Sequence, residues 1–476
     1  MNMGLGRVAL ASTLALALAA CGGGDSQSGT GPIAGGGVSP TPTQCSVRDR
    51  QDWSLAVLNE WYLFPDLIDT SVRPGSFATV QDYLDALVAP ARAEDKDRSF
   101  TYITSIEEEN ALINSGSSAG FGIRLGYDTV NNRVFVIEAF EGAPGLAAGL
   151  DRGTELLEIG TSSTNTQSVS SLMASGGPGA VIDALGPSDP GVTRYIGYRT
   201  ATGASGAENI VKADYALDPV SDRYGVRIID DLGKKVGYLN LRTFIVGSAD
   251  ADLRDAFQTF KDQGVTELII DFRYNGGGLI RIADLMGDLM GAGNVGQVWS
   301  KTVLRDSKSS ENSTTNIRTA SQAIAPTKVA FIGRGGTASA SELVINSMLP
   351  YLGNNVALIG TNTFGKPVGQ FGFDRTECDD RLRAVAFKTT NANDEGEYFS
   401  GLAGVVPNTC QANDDIFRQL GDPAEASIAT ALDFLAGGSC TAISGGDLRS
   451  AQSTGGRELL QPVRPNAAQY QIPGLF

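Results

Sequence analysis

A chain of 476 residues, 42% of them apolar, is too long for one ordinary domain and apolar enough to build real cores, which excludes a disordered chain. Its 53 acidic against 37 basic side chains give a formal charge of -16, which opposes binding to nucleic acid or to an anionic membrane surface. Histidines number 0, so a Ser-His-Asp triad, a Cys-His pair and histidine metal ligands are all excluded.

The chain opens on a basic stretch ending at Arg7, followed by an apolar run over residues 8–20 that is too short to span a bilayer. It closes on Leu18-Ala19-Ala20-Cys21, and so resembles a bacterial lipoprotein signal. The resemblance implies that residues 1–20 are a signal peptide, that Cys21 carries lipid, and that the protein is lipid-anchored in the bacterial cell envelope. Gly22 follows the cysteine where an Asp would signal inner-membrane retention, which points to the outer membrane, facing the periplasm. Residues 21–44 are rich in Gly, Ser, Thr and Pro without apolar periodicity; they read as a flexible tether of about 25 Å r.m.s. length.

Residues 45–117 read as a helical region, with an apolar stripe at Trp53, Val57 and Trp61 and another over 83–88. From 118 to 214 the period changes. Strands over 121–125 and 134–137 flank a turn at 128–132; a short Ala-rich helix closed by Gly149 and strands at 155–159 and 194–199 complete a β-rich module. Residues 215–440 alternate strands (236–241, 267–272, 329–332, 356–359) with helices, one N-capped by Ser248 and one over 341–349. That alternation predicts an α/β core with its chemistry on loops at strand ends, in a multidomain α/β protein. Residues 441–476 are left as a tail.

Cys45, Cys378, Cys410 and Cys440 are an even set without a C-x-x-C pair, which in an exported chain reads as disulfides rather than a metal site. Of the 3 possible pairings, the expected one joins Cys378 to Cys410 at the edge of the largest domain, and Cys45 to Cys440, tying the start of the folded region to its end.

Without imidazole, a hydroxyl nucleophile needs a lysine or carboxylate base. Ser339, between a strand and a helix, would stand beside backbone N–H groups that lack intrahelical partners and suit a developing oxyanion. The Gly276-Gly277-Gly278 loop also follows a strand and lets backbone approach a ligand. Lys366, after the last of these strands, would act neutral, its pKa brought from about 10.4 to roughly 7 or 8 by burial. Singly, these motifs read as a helix cap, a turn and a solvated lysine. The Gly-x-Ser-x-Gly match at Gly116 to Gly120 has no histidine to complete a nucleophile elbow.

Together, Asp271-Phe272-Arg273-x-Asn275-x-Gly277-Gly278, Thr337-Ala338-Ser339-Ala340-Ser341-Glu342 and Thr363-Phe364-Gly365-Lys366-x-x-x-Gln370 resemble the C-terminal processing (tail-specific) protease family. The resemblance covers roughly residues 50–435 and implies a Ser339 nucleophile, a Lys366 base oriented by Gln370, and an oxyanion hole from Ala340 with Gly277 or Gly278. The interval from Ser339 to Lys366 is longer than in the family's pattern, with the excess expected in the loop 350–355, so Ser341 stays open as the alternative nucleophile. Pro367 replaces the usual small residue and holds Lys366 extended. Residues 118–214 look like the family's PDZ domain, with Phe121, Gly122 and Ile123 in the peptide carboxylate-binding position, though Thr154-Glu155 departs from its usual turn. The implied function is a serine endopeptidase acting on exported polypeptides near their C-termini through an acyl-enzyme, with no cofactor and no metal. Penicillin-recognising enzymes need Ser-x-x-Lys, which the chain lacks. A catalytically silent scaffold of the same fold, binding extended peptides by strand addition, is the remaining alternative.

Overall fold

The computed structural model describes residues 45–444 and 457–476. The signal-like segment 1–20, Cys21, the tether to residue 44 and positions 445–456 lie outside the described residues.

The central sheet is 6-stranded. Lys234–Asn240, Glu267–Asp271, Lys328–Gly333, Val356–Gly360 and Asn408–Gln411 run parallel in that order, with Val226–Asp231 antiparallel on the outer edge. These strands are apolar without interruption because both faces are covered, as parallel sheets require. Side chains alternate between the faces: Leu268, Ile270, Val329 and Phe331 pack under helices Ala249–Asp262, Ile280–Met290 and Ala340–Leu352. Ile269, Ala330 and Ile332 pack on the opposite face, under Ala426–Leu435. Ser248 stands at the N-cap position of the first of these helices, but its side chain makes no cap bond; its backbone is already helical (φ -64°, ψ -18°). Pro350 lies inside the third helix rather than in a loop, and Gly353–Asn355 is a short 3-10 turn.

A 5-stranded antiparallel sheet lies beside this core, in the order Tyr102–Ser105, Asp380–Thr390, Val298–Leu304, Ser313–Asn316, with Val368–Arg375 hairpinned onto Asp380–Thr390. Helices Val47–Trp61 and Val80–Leu87 pack on it through Leu58, Tyr62, Tyr83 and Leu84 against Leu382, Ala384 and Val385. The first helix buries Gln51, Ser54 and Leu58, one step round from the expected stripe, and Trp53 and Val57 are half-buried. Gln51 explains the rotation: its amide donates to Phe77 O (3.1 Å) and Thr79 O (3.2 Å), so a polar residue earns an interior place by satisfying backbone carbonyls.

The β-rich module is a 7-stranded sheet containing Ile123–Asp128, Arg133–Ala139, Glu155–Ser162, Thr193–Arg199 and Ser205–Val211, with helix Val169–Leu185 and the short helix Pro144–Ala147. Ser118 of the Gly-x-Ser-x-Gly match lies in a regular strand, Ser117–Gly120, paired with Ala213–Ala216, and not on an elbow. Residues 457–476 are no loose tail. Glu458–Leu459 is a strand of this sheet, and Leu460 and Phe476 belong to the module's apolar core.

The module is tied to the α/β core by buried ions. Glu138 accepts from Arg124 (2.6 Å), Arg242 (2.9 Å) and the Tyr224 hydroxyl (2.9 Å), and the two arginines hold its carboxyl below its usual range against the effect of burial. Breaking a buried pair leaves an uncompensated charge, so Glu138→Ala is expected to cost about 3–5 kcal/mol, read as a lowered denaturant midpoint. A loss below about 1 kcal/mol would show that the cluster contributes no more than an exposed pair.

Both expected disulfides are replaced by a different pairing. Cys45 bonds Cys378 (Cα–Cα 5.5 Å) and Cys410 bonds Cys440 (5.3 Å). The first helix sits on the hairpin bearing Cys378, where Arg50 donates to Asp380, which brings Cys45 to that end. The second follows because the chain after Ala426–Leu435 runs back along Asn408–Gln411, with Gln411 N–H donating to Thr441 O (2.7 Å).

Candidate active site

Parallel register sets the site. Asp271 is level with Ile332 and Gly333 with Gly360, so the loops leaving Glu267–Asp271, Lys328–Gly333 and Val356–Gly360 emerge side by side at the carboxyl end of the sheet. Those loops carry Gly276-Gly277-Gly278, Ser339 and Lys366. Asn275 stitches the first two together. Its Nδ2 donates to Leu241 O (2.8 Å), its Oδ1 accepts Gly277 N–H (2.9 Å), and its carbonyl accepts Ala338 N–H (3.1 Å) and the Ser341 hydroxyl (3.0 Å).

This contact is close enough to require glycine. Gly277 has φ +102°, and a Cβ there would fall 2.8 Å from Ser339 Cβ and 2.9 Å from Ala340 N. Ser339 itself has φ 57° and ψ -117°, a backbone conformation costly for a residue with a side chain and found where the surroundings over-determine it, often at functional sites. Of the expected oxyanion donors, Gly277 N–H is already committed to Asn275. Ala340 N–H and Gly278 N–H have no acceptor among the described residues, and both residues line the cavity that Ser339 opens into. Ser341, the alternative nucleophile, is fully buried and spends its hydroxyl on Asn275 O (3.0 Å).

Lys366 lines the same cavity, of ≈ 1390 Å³. Its Nζ donates to Gln370 Oε1 (2.7 Å) and stands 4.6 Å from the centroid of the Phe100 ring. Gln370, on strand Val368–Arg375, donates in turn to Phe100 O, which fixes the direction of its carbonyl toward the lysine. Burial pushes the Lys366 amine down to about 8, against the opposing pull of Asp97 and Glu342. Ser339 and Lys366 thus share one cavity, but in this state the amine is bonded to Gln370 and not to the serine.

Phe121 and Gly122 precede, and Ile123 begins, the strand Ile123–Asp128 of the β-rich module; none of the three lines this cavity. Phe121 O accepts Gly145 N–H (2.7 Å) and Gly122 O accepts Phe140 N–H (2.9 Å), while Ile123 exchanges hydrogen bonds with Phe476.

Residues 235–408, which include Ser339, Lys366 and the glycine loop, match the sequence model of peptidase family S41. This stretch is an S41 peptidase domain. The chain is similar to the carboxyl-terminal-processing protease of Synechocystis, at 23% identity over 82% of each chain. It is also similar to the chloroplastic carboxyl-terminal-processing peptidase 2 of Arabidopsis thaliana, 27% identical over 62% of this chain and 53% of that one. A solved Bacteroides fragilis protein described as an S41 protease superposes with a TM-score of 0.63, covering 81% of this chain and 97% of its own at 23% identity, a likeness of fold.

Within the S41 domain one residue outside the expected set joins the two halves of the site. Glu342 is fully buried. Its Oε1 accepts the Thr363 hydroxyl (2.6 Å) and Gly365 N–H (2.7 Å); its Oε2 accepts Lys366 N–H (2.7 Å) and Ser339 N–H (3.1 Å). Burial raises this carboxyl, and those hydrogen bonds pull the other way. A single side chain therefore holds the backbones of Ser339 and Lys366 in fixed relation. The signal for it was present as the capping-box spacing, Ser339 with Glu342 three residues on. Phe100 had no such signal. It reaches the S41 domain from the N-terminal region on a loop that Asp97 ties down by accepting Phe100 N–H (2.8 Å) and the Tyr62 hydroxyl (2.8 Å).

Proposed function

We propose that this protein is a serine endopeptidase working through a Ser339/Lys366 dyad, with exported polypeptides as substrates. The observation that carries the reading is that Ser339 and Lys366 open into one cavity while their backbone amides are held by the same buried Glu342 carboxyl. The neutral lysine takes the Ser339 hydroxyl proton as Oγ attacks the scissile carbonyl carbon. The tetrahedral oxyanion is received by Ala340 N–H and Gly278 N–H at the helix start. As the C–N bond breaks, the Lys366 ammonium returns its proton to the leaving amine, giving the acyl-enzyme. Water, deprotonated by Lys366, then attacks the ester, and Ser339 is released with its proton. Gln370 keeps the amine directed into the cavity, and substrate binding tightens the serine–lysine contact, as catalytic hydrogen bonds commonly do in the Michaelis complex. The test is hydrolysis of casein and of a C-terminally tagged peptide. Cleavage of neither by the folded full chain would favour the silent scaffold.

Residues 118–214 are read here as a PDZ-like module presenting substrate C-termini to the cavity. Support comes from the strand-edge geometry at Phe121-Gly122-Ile123 and the neighbouring short helix Pro144–Ala147. Cys21 and the leader before it support lipid attachment to the outer membrane, facing the periplasm. Two or three acyl chains hold a protein stably where one does so marginally. Membrane fractionation with lipid mass on the N-terminal peptide is expected; wholly soluble protein without it would reject the anchor.

A further inference from the structure

The strand edge that would receive a substrate peptide is already filled by this chain. Leu125 N–H donates to Gly474 O (2.8 Å), Phe476 N–H to Ile123 O (2.9 Å) and Ile123 N–H to Phe476 O (3.2 Å). Residues 474–476 therefore add an antiparallel strand to Ile123–Asp128, with Arg124 bridged to Leu475, and Glu458–Leu459 continues along the same edge opposite Gly126 and Tyr127. Phe476 is 3% exposed and sits in one apolar cluster with Phe121, Ile123, Leu172 and Met173. Close approach is built in: a Cβ at Gly120 would fall 2.8 Å from the Phe476 carbonyl carbon, and Gly474 has φ +85° with room for a Cβ only 3.0 Å from Arg124 Cγ. This is the pattern by which extended peptides are bound, backbone to a sheet edge and a side chain to a pocket.

The same segment crosses the catalytic cavity. Gln461, Val463, Gln471 and Pro473 line it together with Ser339 and Lys366. A Cβ at Gly276, in the glycine loop, would lie 3.2 Å from Pro473 Cδ and 3.3 Å from Gln471 O. Tyr470 stacks on Tyr102 at 3.8 Å between centroids, and Gln471 Nε2 donates to the Tyr102 hydroxyl (2.8 Å).

We propose that residues 457–476 are an intramolecular competitor of the peptide ligand, occupying both its strand-addition edge and part of its path to Ser339. The ligand that displaces them is an extended peptide with a small residue opposite Leu125 and a large apolar side chain in the Phe476 pocket. This rests on the peptidase reading above for its consequence, but not for the binding itself. A site open only part of the time shows an affinity reduced by the open fraction, so loosening the internal segment strengthens binding of an external peptide.

The test uses the full chain carrying Ser339→Ala and a labelled peptide, Tyr-Gln-Ile-Pro-Gly-Leu-Phe, copying residues 470–476. Adding Phe476→Asp is expected to tighten peptide binding by about tenfold or more, measured by fluorescence anisotropy. In the chain with Ser339→Ala alone, saturating peptide is expected to speed hydrogen exchange at the Leu460 and Phe476 amides, which now bond Leu125 O and Ile123 O. Unchanged affinity in a folded Phe476→Asp chain, or unchanged protection of those amides at saturation, overturns the proposal. If Phe476→Asp fails to fold, the exchange result decides alone. Casein hydrolysis by chains with Ser339 intact separates the two readings. Displacement of the segment without any hydrolysis sinks the peptidase alone, and hydrolysis without displacement sinks the competitor alone.

Discussion

Ser339→Ala is expected to lower kcat/KM for casein by about 10⁴-fold or more, the scale on which loss of a serine nucleophile falls in enzymes whose remaining groups still bind substrate. Folding should be little affected, because the helix start is still held by Glu342 through Ser339 N–H. Ser341→Ala reads the other way. Its hydroxyl donates to Asn275 O, which keeps Ala338 N–H as a second donor, so the loss is about 1 kcal/mol of stability with substantial activity retained. The opposite outcome, an active Ser339→Ala chain and an inactive but folded Ser341→Ala chain, would reverse the assignment.

Lys366→Ala is expected to match Ser339→Ala, and the double substitution to be no worse than either, since a nucleophile and its base act as a unit. Lys366→Arg should not rescue, because a guanidinium does not deprotonate in this range. The pH dependence follows from the direction of the shift. Burial lowers the amine from 10.5 to about 8, and the base works only when neutral, so kcat/KM rises with pH through a midpoint near 8 and is lost as pH falls below it. A profile flat between pH 6 and about 9 would remove the lysine from the mechanism. Gln370→Ala is a milder change of the same kind, since it frees the amine from its present acceptor without altering the charge it carries.

The α/β core was legible because each parallel strand is a short apolar run and each helix between them carries its stripe, as at Leu253, Phe257 and Phe260. The three loops of the candidate site were legible only together: singly they read as a turn, a helix cap and a solvated lysine, and it was their order in a chain with 0 histidines that pointed to one site, where Gly277 does approach Ser339 closely. What failed depended on long-range placement. The disulfide pairing turned on where the first helix sits over the Cys378 hairpin and on the chain returning beside Cys410. The face of Val47–Trp61 turned on carbonyls offered by Phe77 and Thr79 to Gln51. Residues 457–476 read as a tail because Gly, Pro and Gln break their pattern; their order comes from a borrowed strand edge and from single apolar side chains such as Phe476 seated in another element's core.

The central claim is that Ser339 is the nucleophile of this S41 domain, and covalent trapping tests it most directly. The full chain is treated with a fluorophosphonate at pH 8.5, weighed intact, digested and mapped, with casein hydrolysis followed in parallel. The account predicts one label per chain, on Ser339, with hydrolysis falling in proportion to labelling and no label on the Lys366→Ala chain over the same interval. A label on Ser341 or any other residue, or full casein hydrolysis by fully labelled protein, would contradict it.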